Sequence, residues 1–448
     1  MKTRTESSTN AAERSPAPSV LLLVALLVTV VTAMPAEAGM PAVYRVIAGV
    51  REGATLQTPS ETGRTGPIDV TAPLAAVTIT TVDTELYTGY ENAIYAADDS
   101  TVLVAYKRFL SDPTISGYIP AELRVARSTD AGQTWTITVI DPNAIEEGDT
   151  IDNSVSIDGD HGSAVYVAYH VRASGLFADM KLKVAKSTDG GSTWTTQTVA
   201  DSNAGDYNSV RVLTAKAVVI SAHANGPEEG IHSYISKNGG ATWTDSIVAG
   251  GLGNGLYTSV GAADIRSVWV SYYNSLYPDH TDMNAAMRTR GATWDNFLVD
   301  GTPGDPNLTG LASSITVSPN RMVFAAYEAD TTSGTFVRVA STTDGTVWNI
   351  VPVQQDVTIG WNTAIHEFNG KLYLSYWRVP SGGNGLAMFA VSGDNGITWT
   401  PYTIRDPRYV EPYLDSTAPS NFTQFESYQT VDPTTFQQPV LRVARIGG

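Results

Sequence analysis

Six short β-branched segments, VLVAY (102–106), VYVAY (165–169), VVISA (218–222), VWVSY (268–272), VFAAY (323–327) and LYLSY (372–376), end at residues able to do chemistry. Beyond those ends stand Lys107 and Arg108, His170 with Arg172 close behind, His223, Tyr273 and Asn274, Glu328, and Trp377 with Arg378. A more polar segment precedes each one and starts with a second set: Tyr90-Glu91-Asn92, Asp152-Asn153, Tyr207-Asn208, Tyr257-Thr258, Thr309 and Trp361-Asn362. Brought to one surface, the two sets form a polar, aromatic rim above apolar strands. That composition suits sugars, whose faces stack on rings such as Tyr207, Tyr273, Trp361 and Trp377 while their hydroxyls bond to Asn, Asp and Arg.

What positions these residues is a repeat. Ser187, Asp189, Gly191, Thr193 and Trp194 give the pattern S-x-D-x-G-x-T-W, and related copies stand at 128–135, 236–243, 341–348 and 392–399, with a shortened one at 288–294. Each position fits a hairpin tip. The carboxylates of Asp130, Asp189, Asp344 and Asp394 can accept backbone N–H groups ahead of them, and the glycine takes positive φ without a Cβ clash. The tryptophans Trp135, Trp194, Trp243, Trp294, Trp348 and Trp399 recur at intervals of 59, 49, 51, 54 and 51 residues. A period near 50 with several strands per unit predicts a radial or solenoidal array of small sheets.

The pattern resembles the Asp-box (BNR) repeats of the sialidase-like β-propellers, and the resemblance covers nearly all of the chain beyond its N-terminal segment. It implies an all-β propeller of four-stranded blades; the six boxed repeats and an incomplete C-terminal unit make seven, with six as the alternative because sialidases have six. The C-terminus supplies three strands of a last blade: Leu441-Arg442-Val443-Ala444-Arg445 repeats Leu123-Arg124-Val125-Ala126-Arg127. The alternating segment 75–82 is a spare fourth strand, so the ring closes by pairing the two ends of the chain, which removes exposed sheet edges. In such a blade the Asp boxes join the third and fourth strands on one face, and the reactive rim lies on the other.

The resemblance also implies chemistry. Catalytic sialidases hold a substrate carboxylate with three arginines and use a tyrosine nucleophile activated by a glutamate. The positions available for those roles are Arg108, Arg172 and Arg378, Tyr257 or Tyr207, and Glu328 or Glu91. The family's Phe/Tyr-Arg-Ile-Pro signature is echoed only by Tyr44-Arg45-Val46-Ile47, without the proline. Similarity to the xyloglucan-cleaving glucanases implies instead two carboxylates from Asp152, Glu91 and Glu328. The expectation is thus a glycan-binding propeller or a glycoside hydrolase, exo-α-sialidase-like in the first instance. The alternative is a non-catalytic propeller that binds an extracellular protein.

Lys2, Arg4 and Arg14, the apolar run 20–33 and Ala36-Glu37-Ala38 read as a secretion signal over 1–38. A surface arm is expected over 39–66 and the propeller over 67–448. This makes the protein secreted, extracellular or periplasmic, without membrane insertion once the signal is cleaved, and a monomer. The chain has 448 residues, no cysteine and a formal net charge of −17, a field that repels nucleic acid and anionic lipid. An anionic sugar would need a local cluster of arginines against it. Asp98-Asp99 and Asp158-Gly159-Asp160 lack the fuller spacing of a calcium loop and the histidines are scattered, so neither a metal nor another cofactor is expected.

Overall fold

The computed structural model describes residues 77–111, 117–144, 146–148, 155–172, 180–201, 203–225, 228–251, 254–276, 280–288, 293–301, 307–356, 358–380, 383–420, 423–434 and 439–447. The expected signal over 1–38, the arm over 39–66 and Asp152 lie outside these residues. Among the described residues the regular structure is all β.

The repeat folds as antiparallel meanders. Thr88–Ala96, Val102–Phe109, Ala121–Ser128 and Thr136–Asp141 form one four-stranded sheet; Val155–Gly159 to Thr195–Ala200, Ala204–Val212 to Thr244–Gly250, and Thr358–Phe368 to Thr400–Ile404 form three more. A larger sheet holds two such meanders, Asn254–Asp264 to Trp294–Asp300 and Leu308–Val317 to Asn349–Asp356, joined through the single parallel pairing Thr281↔Leu308. Gly117–Ile119 pairs with Glu146–Gly148 in a two-stranded sheet, and a further four-stranded one orders Val77–Asp83, Val440–Gly447, Thr423–Val431 and Tyr409–Ser420. Its register runs from Val77↔Ile446 to Thr81↔Arg442, so the N-terminal strand closes the C-terminal sheet as the matched segments predict. Ser267–Leu276 pairs with His280–Arg288 out to Leu276↔His280.

Burial explains the strand compositions. The second strands are apolar on both faces because neighbouring sheets cover both: Leu103 and Ala105 pack with Val165 and Val167, Tyr166 and Ala168 with Val218 and Ile220, Val102 and Val104 with Phe425 and Val443. Each such Val or Leu is worth roughly 1.5–3 kcal/mol of burial. Outer strands such as Thr136–Asp141 and Thr195–Ala200 face solvent and are threonine-rich.

The Asp boxes close the third-to-fourth-strand turns. Asp189 Oδ1 accepts the Thr193 N–H at 2.8 Å, its Oδ2 accepts the Thr193 hydroxyl at 2.6 Å, and Ser187 Oγ accepts the Gly191 N–H at 2.8 Å. Asp130 and Asp394 repeat the pattern, while Asn238 turns it round by donating its amide to Thr242 Oγ1 at 2.8 Å. Three boxes are tied to the first hairpin of their own sheets: Ala131 N–H to Ser100 O, Gly190 N–H to Ser163 O, Gly239 N–H to Lys216 O. The boxes and those hairpins therefore share one face, and the inner strands begin at the other.

A second repeated contact joins neighbouring sheets. An Asp at the end of one outer strand accepts a Tyr hydroxyl from the next sheet's second strand and a cation from its third. Tyr169 donates to Asp141 at 2.8 Å beside Lys183; Tyr327 and Arg338 reach Asp300 at 2.7 and 2.8 Å; Tyr428 and Arg442 reach Asp406 at 3.1 and 2.9 Å. Burial first, then the carboxylate, pushes the phenols of Tyr169, Tyr327 and Tyr428 up, so they remain donors.

Candidate functional site

The inner strands surround a cavity of about 260 Å³. It is lined from every meander, by Asn92–Tyr95, Val155–Asp158, Tyr207–Arg211, Tyr257–Gly261, Ala312–Thr316, Asn362–Phe368 and Leu414–Ala418. Inner strands make no ladder with one another, so side chains satisfy the backbone that faces the next sheet. Asp158 accepts Val212 N–H at 2.7 Å, Ser209 accepts Val260 N–H and Ser259 accepts Ile315 N–H at 3.2 Å, and Asp415 accepts Ile94 N–H at 2.9 Å. Ser314 meets Thr363 at 3.0 Å and His366 meets Ser416 at 2.9 Å, which carries the chain of contacts around the ring.

At the start of the inner strands a bulge recurs. Register slips between Tyr90/Ala93, Asp206/Ser209, Leu256/Ser259, Leu311/Ser314 and Trp361/Ala364. The slipping residues Glu91, Tyr207, Tyr257, Ala312 and Asn362 have φ of 51°, 48°, 54°, 49° and 49°, a left-handed conformation that a bulky side chain adopts only when its surroundings impose it. Two residues earlier stands a glycine, and its missing Cβ is needed. A Cβ on Gly205 would lie 2.6 Å from His170 Cβ, and one on Gly360 3.1 Å from Glu328 Cβ. Tyr413 takes the corresponding place in the closing sheet, since Asp415 does there what Ser209 does two residues after Tyr207.

The bulges bring aromatic rings together. Tyr207 and Tyr257 lie 4.7 Å apart between centroids, Tyr257 and Tyr273 5.9 Å, Tyr90 and Tyr413 5.6 Å. Tyr413 also lies in the electrostatic field of Tyr90, Glu411, Glu91 and Tyr257.

Solved structures share this ring of meanders. An ulvan lyase of the polysaccharide lyase family PL25 superposes with a TM-score of 0.57 at 11% identity, over 81% of this chain and 93% of that one. The ulvan lyase bound to -[GlcA(1-4)Rha3S]- gives 0.55 at 11% over the same shares. The BP39L lectin from Burkholderia pseudomallei gives 0.55 at 12%, over 81% of this chain and 97% of that one. The chain has the β-propeller fold, with Asp-box turns of its own. No protein-family model matches it, and no curated protein does. At these identities the likeness is one of fold.

In the propeller the expected site residues divide. Tyr257, Tyr207 and Tyr273 form one aromatic row, in which Tyr257 and Tyr207 line the cavity, Tyr257 is half-buried, and Tyr207 and Tyr273 are buried. Glu91 is buried against Lys107, whose Nζ is 3.3 Å from its Oε2. Arg172 is buried with Nη2 3.2 Å from Asp206 Oδ1, which also lies 3.4 Å from His170 Nδ1. Arg108 spans Glu85 at 2.9 Å and Glu122 at 3.5 Å. Arg378 is half-buried on a separate strand, in register with Ile359 and Leu386. Glu328 is buried under Gly360. Trp361 pairs in register with Trp377. Trp377, expected at the rim as a stacking platform, is instead fully buried, its indole N–H donating to Val410 O at 2.7 Å, so the ring is packing material between blades.

Two acids at the closing blade were not singled out by sequence. Burial pushes the Glu411 carboxyl up to about 7, and it pushes Asp415 up to about 6 against the N–H groups of Ile94 and Ser416. Burial acts oppositely on His366, lowered to about 4. The signal that could have led to the mouth is the repeated glycine two residues before each bulge, at 89, 205, 255, 310 and 360.

Proposed function

We propose that the protein is a secreted, glycan-binding β-propeller whose site is the mouth of the central cavity, opposite the Asp boxes. The observation that carries this reading is the aromatic pair Tyr207 and Tyr257 on the wall of a polar cavity, each held in a strained bulge, with Tyr273 packed against Tyr257. Rings fixed in that way offer sugar-stacking faces at low entropic cost, and backbone strain persists where surrounding structure enforces it. Both fold neighbours, a polysaccharide lyase and a lectin, are supportive company. In this reading the two meanders of the larger sheet count as separate blades, which makes seven. Secretion rests on the basic start, apolar run and Ala-Glu-Ala site of the first 38 residues.

Binding to an oligosaccharide array, followed by titration calorimetry, tests the proposal. Wild type and Asp189→Ala should bind the same sugars, and Tyr257→Gly should lose at least tenfold in affinity. Unchanged binding in Tyr257→Gly, or no binding to any sugar, would overturn it.

A further inference from the structure

We propose that the mouth takes an uncharged sugar rather than a sialic or uronic acid, an inference that rests on the glycan-binding reading above. An anionic sugar needs cations able to reach its carboxylate, ideally in bidentate geometry. The cations at the mouth are matched internally. Lys107 and Glu91 are both fully buried side chains at 3.3 Å, and Arg172 shares Asp206 with His170. Arg108 lies between Glu85 and Glu122, and Arg124 takes Glu122 at 2.7 Å in the same cluster. Drawing either buried cation toward a ligand would leave its own acid buried without its counter-charge, which low dielectric makes unfavourable. The carboxylate clamp that three arginines could form thus has two of its members committed to acids of the protein itself.

What the mouth offers instead is neutral. Tyr257 and Tyr207 supply rings on the cavity wall, while the Asn362 amide on the same ring of bulges is donated to Pro412 O. The Tyr413 hydroxyl is buried, lies in the electrostatic field of Tyr90, Glu411, Glu91 and Tyr257, and has no hydrogen-bond partner among the described residues. A hydroxyl in that state is completed by a group that both donates and accepts, as a sugar hydroxyl does. Glu411 reinforces the choice, since burial holds much of it in the neutral acid form near pH 7, where it donates rather than repels. The net charge of −17 adds a general barrier to anions.

The test is a matched panel of neutral gluco-, xylo-, arabino- and galacto-oligosaccharides against sialylated and uronate oligosaccharides, at low and at high salt. Neutral sugars should bind with an affinity independent of salt, and the acidic ones should bind at least tenfold more weakly. Tyr413→Phe should weaken neutral binding severalfold at unchanged melting temperature. Tyr257→Gly, which suits the left-handed backbone and removes the ring, should abolish it. Preference for the acidic sugars, falling steeply with salt, would overturn this inference and leave the glycan-binding reading standing. Absence of binding to either class would overturn both.

Discussion

The Tyr106 hydroxyl donates to Asp83 at 2.7 Å, and Arg124 Nη1 reaches the same Asp83 oxygen at 3.0 Å. Asp83 ends the N-terminal strand Val77–Asp83, while Tyr106 and Arg124 belong to the second and third strands of the following blade. The contact repeats those made by Asp141, Asp300 and Asp406, so the strand that closes the ring is clasped to its neighbour like any internal outer strand.

Asp83→Ala should therefore destabilise the protein by about 2–3 kcal/mol, because Arg124 stays buried with one counter-charge removed. Tyr106→Phe should cost about 1 kcal/mol. Urea denaturation of the two variants beside Asp406→Ala checks this. A silent Asp83→Ala with a costly Asp406→Ala would mean that the closing strand is dispensable.

Gly205 and Gly370 separate crowding from strain. Both have positive φ, 130° and 79°, but an added Cβ meets His170 at 2.6 Å in the first case and nothing within 4 Å in the second. Gly370→Ala should cost about 1 kcal/mol, the left-handed penalty alone. Gly205→Ala should cost at least about 2–3 kcal/mol, because blade and neighbour must move apart. Equal melting temperatures in the two variants would remove the bulge glycine from the account of blade packing.

The pH dependence of stability follows from the buried acids. Asp415 is raised to about 6 and Glu411 to about 7, so the folded chain keeps protons that the unfolded chain releases. Their contribution is full below the ordinary carboxylate value near 4 and is lost as pH rises through 6 to 7. His366 acts the other way: held down to about 4, it stabilises above about 6.5 and loses that contribution as pH falls through 4. Relative to wild type, Asp415→Asn should gain on the order of 1–2 kcal/mol between pH 4 and pH 7 and stay level above. A difference that does not change with pH would show that Asp415 is not titrating in this window.

Asp189→Ala should lower the melting temperature and leave glycan affinity unchanged. Hydrogen bonds from Thr193 hold the Asp189 carboxylate well below the usual range, so this share of stability is present above the ordinary value and lost on acidification below it. Differential scanning calorimetry at pH 7 and calorimetric sugar titration on the same variant measure the two effects separately. Lost affinity at unchanged stability would move the site to the Asp-box face.

Much of the fold is legible in the residues themselves, because it depends on local chemistry repeated at a period. Each Asp box is completed within eight residues, so Ser187, Asp189, Gly191 and Thr193 declare their hairpin without help from the rest of the chain. The likeness of 441–445 to 123–127 likewise declared a blade lacking its last strand, and Val77–Asp83 supplies it. The site is different, since its make-up depends on which way a side chain leaves a bulged strand and on partners far away in sequence. The one-residue slip at Tyr207 and Tyr257 decides which side chains turn to the mouth, and an alternating pattern carries no mark of it. Arg172 finds Asp206 in the next blade, and Trp377 finds Val410 O across a blade boundary. The sequence by itself determined the repeated blades and their closure, because those contacts are local or periodic. Only the tertiary structure decided that Arg172 meets Asp206 and that Tyr207 meets Tyr257, because each of these pairs bridges two blades and no local or periodic pattern marks it.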